Sequence, residues 1–352
     1  MRTTEADLNT LALRIQSAIA SIEPDLSGQT VLTEAASGPF MATAVAAAVA
    51  GASRVIACTK NSRWGTAVDI ERDTLSLAEM LGVRDRVEIR EVRGPLDLSG
   101  DAVDVVTNLG FIRPISRQLI AQLSSYAAIA LMWEPWEFRS EDIDVKACED
   151  HGIPIIATNE HHPKVATFKS VGILAVKLLL ERHFEVLNLN VLVVGSNPFG
   201  QACAELLGQM GARVVLMDPR QGWNNDGIGE QIQQTDAIVV IEHRYKEELF
   251  GSSNREWLDT IAQRNLPFVH ICGNVDATFL ESCGIQKHPK QAVPVGYMTT
   301  TTAHVGSKPV IDLHVAGLHV GSLVARQRSC GATVDEAVQF AVDSGYGLPL
   351  AF

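Results

Sequence analysis

The chain has 352 residues, of which 46% are hydrophobic and 20% charged, values typical of a globular protein with more than one domain. Its formal net charge of −12 argues against a partner held by phosphate contacts, so no nucleic acid is expected. There is no leader-like start and no apolar run long enough to cross a bilayer. Six scattered cysteines resemble neither a disulfide framework nor a zinc site. These features predict a cytoplasmic protein without a membrane partner.

The first 160 residues alternate short strand-like runs with helical stretches. The strand-like runs are QTVLTEA, SRVIACTK, RVEIREV, DVVTNLG, AAIALMWE and IPIIATNE. Continuous apolar runs of this kind are typical of parallel sheets that are covered by helices on both faces. This part of the chain is therefore predicted to form one open, doubly wound sheet.

A long helical stretch, VATFKSVGILAVKLLLER, separates this series from a second one. The second series contains the runs NVLVVGS, ARVVLMD, AIVVIEH and LPFVHIC, and a helical tail follows from about Pro309 to Ala341. The predicted fold class is α/β, with two doubly wound Rossmann-like domains, an interdomain cleft, and C-terminal helices that pack back on the first domain. We expect residues 1–160 and 306–352 to form the substrate domain and residues 161–305 to form the nucleotide-binding domain.

The most specific motif is VLVVGSNPFGQACAELLGQMGARVVLMDP, in which a strand, a glycine turn, a helix and a second strand follow in order. Gly195 permits the tight turn, and Gly200 lets the helix pack closely on the strand, with its N-terminus facing a pyrophosphate. Asp218 ends the second strand, where an acid binds the adenosine ribose. Asn197 replaces the middle glycine and tolerates a positive φ. The motif predicts a dinucleotide site; the alternative is a Rossmann-shaped domain with an altered pocket.

The predicted cofactor is NAD rather than NADP, because the Asp218 carboxylate repels a 2′-phosphate, although the adjacent Arg220 keeps NADP open. The residues predicted to contact the dinucleotide are Gly195, Ser196, Asn197, Phe199, Gly200, Asp218, Pro219, His243, Cys272 and Gly273.

With this motif placed, residues from about 100 to 325 resemble the D-2-hydroxyacid dehydrogenase superfamily. The resemblance is carried by IDVKACEDHGIPIIATNE, the long helix after it, HICGNVDATFL and TTAHVGSKP. It implies an NAD-binding Rossmann domain beside a flavodoxin-like domain, and it places His304 at the family's acid/base histidine. Cys272 stands where the family has its substrate-binding arginine. The segment from Asp276 to His304 is too short for the loop that holds the histidine's glutamate partner. The chain thus resembles a divergent member without the usual catalytic arginine and glutamate.

The first domain has a fainter resemblance to S-adenosylmethionine-dependent methyltransferases, in VLTEAASGPFMATAVAAAVAGASRVIACTK. Its glycine loop is reduced to ASGPF, and Thr59 and Lys60 stand where that family has an acid. We interpret this likeness as a shared sheet topology.

Polar residues are dense at the predicted carboxyl ends of the first domain's strands, where open α/β sheets bind ligands. Arginine and lysine side chains there suit an anionic substrate. The residues predicted to bind substrate are Gly38, Lys60, Arg63, Asn108, Arg113, Trp136, Glu137, Arg139, Asn159, His161 and His162. Structural alternatives remain open: Glu137 and Arg139 as an ion pair, and one of His161 and His162 as a cap on the interdomain helix.

The predicted catalytic residues are His304, whose imidazole titrates near neutral pH, and Glu134 and Glu160, which suit an amine or a base role. No motif with metal-ligand spacing appears, so no metal is predicted. The predicted function is an NAD-dependent oxidoreductase, a homodimer, that acts on a small polar, anionic metabolite in the interdomain cleft. One alternative is a lyase, isomerase or hydrolase with tightly bound NAD. Another is a non-catalytic nucleotide-binding sensor, suggested by the missing arginine and glutamate.

Overall fold

The computed structural model describes residues 3–223 and 227–350. Its strands are β1 (Thr30–Glu34), β2 (Arg54–Thr59), β3 (Val87–Glu91), β4 (Val105–Thr107), β5 (Ala128–Leu131), β6 (Ile155–Thr158), β7 (Asn190–Val194), β8 (Arg213–Met217), β9 (Ala237–Ile241), β10 (Phe268–Cys272), β11 (Lys287–His288) and β12 (Gly347–Pro349). Its α-helices are α1 (Glu5–Ile22), α2 (Ala42–Val49), α3 (Ala67–Met80), α4 (Arg117–Ile120), α5 (Val145–His151), α6 (Thr167–Glu181), α7 (Phe199–Gln209), α8 (Gly227–Gln234), α9 (Arg255–Gln263), α10 (Ala277–Ser282), α11 (Lys308–Ser329) and α12 (Val334–Asp343). None of these helices is both long and apolar enough to cross a membrane.

The chain divides into two compact units. Unit 1 comprises residues 1–166 and 307–352, and unit 2 comprises residues 167–306. The sheet of unit 1 has seven strands in the order β12-β6-β5-β4-β1-β2-β3, and all neighbours are parallel except β12, which is antiparallel to β6. Because the chain order reverses at β1, the topological switch point of this sheet lies between the carboxyl ends of β1 and β4.

The C-terminal helix α11 packs on β4, β5 and β6 of unit 1, as predicted. A glycine on the helix allows this close approach. A Cβ added at Gly321 would lie 2.7 Å from Val105 Cγ1 and 2.9 Å from Ala130 Cβ. Helix α12 follows and begins with a capping box, in which Thr333 and Glu336 each accept a hydrogen bond from the other's backbone N–H.

The sheet of unit 2 has five parallel strands in the order β11-β10-β9-β7-β8, and its switch point lies between β7 and β9. Helices α6 and α7 pack together where Gly172 meets the next helix: a Cβ there would lie 2.7 Å from the Ala202 carbonyl oxygen. Edge-to-face contacts of Trp223, Phe250 and Phe268 fill the other side of the sheet. The predicted pair of doubly wound Rossmann-like sheets is therefore confirmed.

Candidate functional site

Two glycines in close contact form the turn between β7 and α7. A Cβ added at Gly200 would lie 2.6 Å from the Gly195 carbonyl carbon, and one added at Gly195 would lie 2.6 Å from the Ile241 carbonyl oxygen. Helix α7 therefore begins directly against the end of β7. The sequence analysis explained this turn by backbone freedom at Gly195 and by a positive φ at Asn197. That explanation is wrong, because neither residue has a positive φ. Steric clearance is what requires glycine here.

A buried carboxylate that the sequence analysis missed lies at this turn. Glu242 directly follows β9 and is 1% exposed. Its Oε2 accepts a 2.6 Å hydrogen bond from the Ser196 N–H, and its Oε1 accepts a 2.8 Å bond from the Ser196 hydroxyl. The N–H groups of Arg244 and Tyr245 also donate to Oε1. Pro198 brings no N–H to the turn. The turn therefore carries a negative charge and offers a pyrophosphate fewer donors than the motif predicts.

Asp218 follows β8 as predicted, but the positive charge of Arg220 compensates its negative charge. Arg220 donates from Nε to Oδ1 at 3.0 Å and from Nη2 to Oδ2 at 2.6 Å, and its backbone N–H donates to Oδ1 at 3.0 Å. The side-chain bonds from Arg220 lower the pKa of Asp218. A paired carboxylate repels a 2′-phosphate less than a bare one, and an arginine here suits that phosphate. The geometry thus favours neither NAD nor NADP.

An aromatic contact covers the start of α7. The rings of Phe199 and His243 stack with centroids 4.4 Å apart. Burial lowers the pKa of His243 to about 3, so its imidazole is neutral at physiological pH. His243 is therefore placed for apolar stacking rather than for binding a phosphate.

The remaining predicted cofactor residues lie after β8 and β10. Pro219 is buried in the single 3-10 turn that follows Asp218. Cys272 is the buried last residue of β10, and the next residue, Gly273, has a φ of 119°. The Gly273 carbonyl oxygen lies 3.0 Å from His270 Nε2. Pro219, Cys272 and Gly273 thus lie in the backbone turns that directly follow β8 and β10.

His304 has a carboxylate partner, contrary to the expectation from the short segment before it. Its Nε2 lies 2.9 Å from Glu181 Oε1, and His288 Nε2 lies 2.7 Å from Oε2 of the same carboxylate. Glu181 is the last residue of α6, so the partner comes from this helix rather than from the loop before His304. One turn earlier, Lys177 donates a 2.5 Å bond to the His304 carbonyl oxygen.

This arrangement orients the His304 ring. Burial opposes ionisation of Glu181, but the bonds from His288 and His304 outweigh it and lower the pKa of the carboxyl. An ionised carboxylate only accepts hydrogen bonds, so Nε2 of each ring carries a proton that it donates to Glu181. Within residues 3–223 and 227–350, no set of three or more histidine, cysteine or acidic side chains is grouped to hold a metal ion.

Three glutamates of unit 1 lie together after β5 and β6. Glu134 and Glu160 are buried, and Glu134 accepts hydrogen bonds from Trp136 Nε1 at 2.9 Å and from the Glu160 N–H at 3.3 Å. Burial raises the pKa of Glu137 to about 7, and interactions with Glu160 and with the charge of Arg139 oppose the rise. Glu137 is therefore influenced by both an acid and a base.

Two arginines of unit 1 lie on one tryptophan and share one acid. Nη1 of Arg113 lies 2.8 Å from Asp142 Oδ2, and Nη1 of Arg139 lies 3.9 Å from it. The Cζ atoms of Arg113 and Arg139 lie 5.1 and 5.8 Å from the centroid of Trp133. Arg113 Nε and Trp133 Nε1 are buried without a hydrogen-bond partner in the described part of the chain. Buried donors of this kind are rare unless a water or a ligand satisfies them.

A second acid that the sequence analysis missed lies at the switch point of unit 1. Glu34, the last residue of β1, is 5% exposed, and its Oε2 accepts a 2.9 Å bond from the Phe111 N–H. Burial raises the pKa of Glu34, and the charges of Arg113 and Lys60 oppose that rise. Lys60 Nζ lies 5.1 Å from the Phe111 ring centroid. The sequence could have identified Glu34 as a candidate site residue, because it lies at the end of a predicted strand.

Asn108, which follows β4, is fully buried beside the switch point. Its Oδ1 accepts a 2.8 Å bond from the Met132 N–H, whereas its Nδ2 has no partner among residues 3–223 and 227–350. Asn108 therefore adds a third buried donor to those of Arg113 and Trp133.

Two predicted substrate residues fasten the C-terminal segment of unit 1. Asn159 Nδ2 donates to the Gly345 carbonyl oxygen at 2.8 Å, and its Oδ1 accepts from the His161 N–H at 3.0 Å. His162 stacks on Tyr346 with ring centroids 3.8 Å apart. These contacts join the turn after β6 to the segment before β12, so they indicate a structural role.

The other predicted substrate residues lie around these groups. His161 is exposed, with Nε2 3.9 Å from Glu134 Oε1. Gly38, with a φ of 65°, opens the 3-10 turn that follows β1. Arg63 is exposed and lies over the Trp64 ring, with its Cζ 4.6 Å from the centroid. Arg63 therefore contacts a surface ring rather than the buried donors.

No protein-family model and no curated protein sequence matches the chain. Its fold matches solved structures. A dipicolinate synthase polypeptide from Bacillus halodurans is 11% identical over 83% of this chain and 96% of its own length, with a TM-score of 0.51. The dipicolinate synthase polypeptide from Bacillus subtilis is 10% identical over 87% of this chain and 98% of its own length, also with a TM-score of 0.51. A looser match is the NAD-dependent formate dehydrogenase of Staphylococcus aureus, solved with NAD, at 16% identity over 73% and 91% of the two chains and a TM-score of 0.43.

At these identities the likeness shows the fold. The fold defines the class: an α/β protein of two Rossmann-like units. The two-domain Rossmann-like fold that the resemblance to the D-2-hydroxyacid dehydrogenase superfamily implied is confirmed.

Proposed function

We propose that the protein is an oxidoreductase that uses a nicotinamide dinucleotide, NAD or NADP, and acts on a small polar, anionic metabolite. The observation that carries the proposal is the order of parts in unit 2: β7, the Gly195–Gly200 contact, α7 and β8, with Asp218 directly after β8. This order brings a helix N-terminus and an acid to the carboxyl edge of one parallel sheet, as dinucleotide-binding units require.

The residues of unit 2 fit a dinucleotide in part. Asp218 is ionised and suits the adenosine ribose, and the helix start at Gly200 is close enough to the strand to face a pyrophosphate. Glu242 opposes the pyrophosphate through its charge and its bond to Ser196. We therefore expect weak, measurable binding rather than a tightly retained cofactor. When bound, a nicotinamide supplies the hydride donor or acceptor of the reaction.

The proton-transfer group in this proposal is His304. Glu181 fixes its ring and keeps a proton on Nε2, so Nδ1 is the atom that exchanges a proton with the substrate. Glu181 also stabilises the imidazolium that forms when Nδ1 is protonated. In unit 1, Lys60, Arg113 and Arg139 are the proposed groups for an anionic substrate. Glu134 and Glu160 are the proposed acid or base groups of unit 1, and beside them burial raises the pKa of Glu137 to about 7.

Calorimetric titration of the purified protein with NAD⁺, NADH and NADP⁺ tests the cofactor assignment. We expect saturable binding of a nicotinamide dinucleotide, and a net change in nicotinamide absorbance with a panel of small acids. The variant His304→Gln should lower turnover far more than it lowers cofactor affinity. Absence of binding by all three nucleotides in folded protein would contradict the proposal. The predicted homodimer and the cytoplasmic location stay predictions, and light scattering of the purified protein tests the first.

A second candidate function is a nucleotide-binding sensor without redox turnover. Glu242 favours it, because a carboxylate that holds the Ser196 amide weakens a pyrophosphate contact without closing the ribose side. A sensor would bind ADP about as well as NAD⁺ and would show no absorbance change with any small acid.

A further inference from the structure

Glu34 and Arg113 both lie close to Gly110 without forming an ion pair with each other. A Cβ added at Gly110 would lie 3.4 Å from Glu34 Oε2 and 3.8 Å from Arg113 Nη2. Arg113 forms its ion pair with Asp142 through Nη1, and it acts on Glu34 only through its charge. An acid and a base of opposite charge thus lie next to one backbone position that carries no side chain.

Three buried donors that follow the neighbouring strands β4 and β5 lack acceptors in the described part of the chain: Asn108 Nδ2, Arg113 Nε and Trp133 Nε1. Asn108 is fully buried, so leaving its amide unsatisfied is costly. In a guanidinium, Nε and one Nη form the planar fork that a carboxylate matches. Because Asp142 holds Nη1, the fork of Nε and Nη2 is the part of Arg113 that remains for a ligand.

This point coincides with the switch point of unit 1, where an open α/β sheet forms its ligand crevice. Glu34 ends β1, and Asn108 follows β4, the two strands on either side of the reversal. The topology, the buried donors without acceptors and the neighbouring opposite charges of Glu34 and Arg113 therefore indicate the same region of unit 1.

We propose that Glu34, Asn108, Arg113 and Trp133 form a binding site for a small α-amino acid. The carboxylate of the amino acid binds the Arg113 fork and the Asn108 amide, and its ammonium group binds Glu34. An ammonium favours the ionised form of a buried carboxylate, which a neutral hydroxyl does much less, so Glu34 selects an amine. The inference rests on the proposed function only in taking this ligand as the substrate; binding itself concerns unit 1 alone.

The Arg113–Trp133 contact provides a reporter, because a ligand on the guanidinium changes the surroundings of the indole. The full-length protein, without nucleotide, is titrated with alanine, lactate, propionate and N-acetylalanine while tryptophan fluorescence is recorded. Calorimetry of the same samples measures binding independently of the indole, because Trp133 is itself one of the proposed contacts. We expect saturable binding of one alanine enantiomer. Lactate, propionate and N-acetylalanine, which lack the ammonium, should bind at least tenfold more weakly.

Two variants and one control assign the contacts. Glu34→Gln should reduce alanine affinity at least tenfold, to the level of propionate, and leave propionate unchanged. Arg113→Lys keeps the charge but loses the fork, and it should weaken both ligands. The matched control is Arg117→Lys, an exposed arginine paired with Asp144 and Asp150, which should change neither.

The proposal is overturned if propionate or N-acetylalanine binds the wild type as tightly as alanine, or if no ligand binds. These ligand comparisons decide the matter even where Glu34→Gln fails to fold. Nucleotide titration of the same samples keeps the two proposals apart: NAD⁺ binding without amino-acid binding overturns this inference alone, and the converse overturns the proposed function alone.

Discussion

Ser196 gives both its N–H and its hydroxyl to one carboxylate, that of Glu242, at 2.6 and 2.8 Å. The two bonds join the turn after β7 to the turn after β9, across the switch point of unit 2. They satisfy groups that the pyrophosphate of a dinucleotide would contact in a Rossmann-like turn. Nucleotide binding and this internal contact therefore compete for the same amide.

Replacing Glu242 by Gln should strengthen dinucleotide binding about tenfold, because it removes a negative charge beside the expected pyrophosphate. The same change should lower the free energy of unfolding by about 1–3 kcal/mol, since one amide cannot accept all the bonds that the carboxylate accepts. Calorimetry and urea unfolding measure the two effects. Glu247→Gln, an exposed neighbour, is the control. Weaker binding in a folded Glu242→Gln protein would show instead that the acid supports the nucleotide.

Gly200→Ala should destabilise the protein by about 3 kcal/mol, because the added Cβ overlaps the Gly195 carbonyl group. The matched control lies on the same helix: no atom lies within 4 Å of a Cβ added at Gly208, so Gly208→Ala should stabilise by about 0.5–1 kcal/mol. Urea unfolding of the two variants measures the difference. A Gly200→Ala protein as stable as the wild type would disprove the close contact.

Arg220→Gln should raise the preference for NAD over NADP about tenfold, because the Asp218 carboxylate then faces a 2′-phosphate without its counter-charge. Binding constants for NAD⁺ and NADP⁺, measured side by side, give the ratio. Arg213→Gln, at the opposite end of β8, should leave it unchanged. If Arg220→Gln lowers the affinities for NAD⁺ and NADP⁺ by the same factor, Asp218 does not contact the adenosine ribose.

Lowering the pH should destabilise the protein through protonation of the buried His314. Burial lowers its pKa to about 4 from the ordinary value of 6.5, and its Nδ1 lies 2.6 Å from Thr43 Oγ1. The unfolded chain binds the proton more readily, so stability is complete above pH 6.5 and falls towards pH 4, by up to about 3 kcal/mol from this residue. His314→Gln should make the unfolding free energy fall less steeply between these pH values, although buried His243 and His270 still contribute to the fall. Unchanged steepness in that variant would mean that other groups cause the loss.

Features that depend only on residues close together in the sequence could be predicted. Each apolar run from β7 to β10 is a strand, and the glycine spacing places the start of α7, because both patterns are local. Strands β11 and β12 were not predicted: they have two and three residues, and only their pairing with β10 and β6 defines them. Strand β4 is equally short but lies in the apolar run DVVTNLG, whereas neither Lys287–His288 nor Gly347–Pro349 lies in such a run.

The hydrogen-bond partners of the candidate site residues could not be predicted from the sequence, for a different reason. His304 and Glu181 are 123 residues apart, and Ser196 and Glu242 are 46 apart, so packing rather than spacing brings them together. Glu34 is the exception. It directly ends a predicted strand, where ligand-binding residues are expected in an open sheet, and that rule alone identifies it as a candidate.

Unit 2 interrupts unit 1 along the chain, and this reverses the order in which the two are completed during synthesis. Strands β1 to β6 leave the ribosome before unit 2, but α11, which covers β4 to β6, and β12, which pairs with β6 at the edge of the sheet, are made after it. Residues 167–306 emerge between them as one unbroken stretch that already contains every strand of the second sheet. The later-starting unit is thus the first to have its whole sequence available, and the nascent first sheet waits with its α11-binding face uncovered.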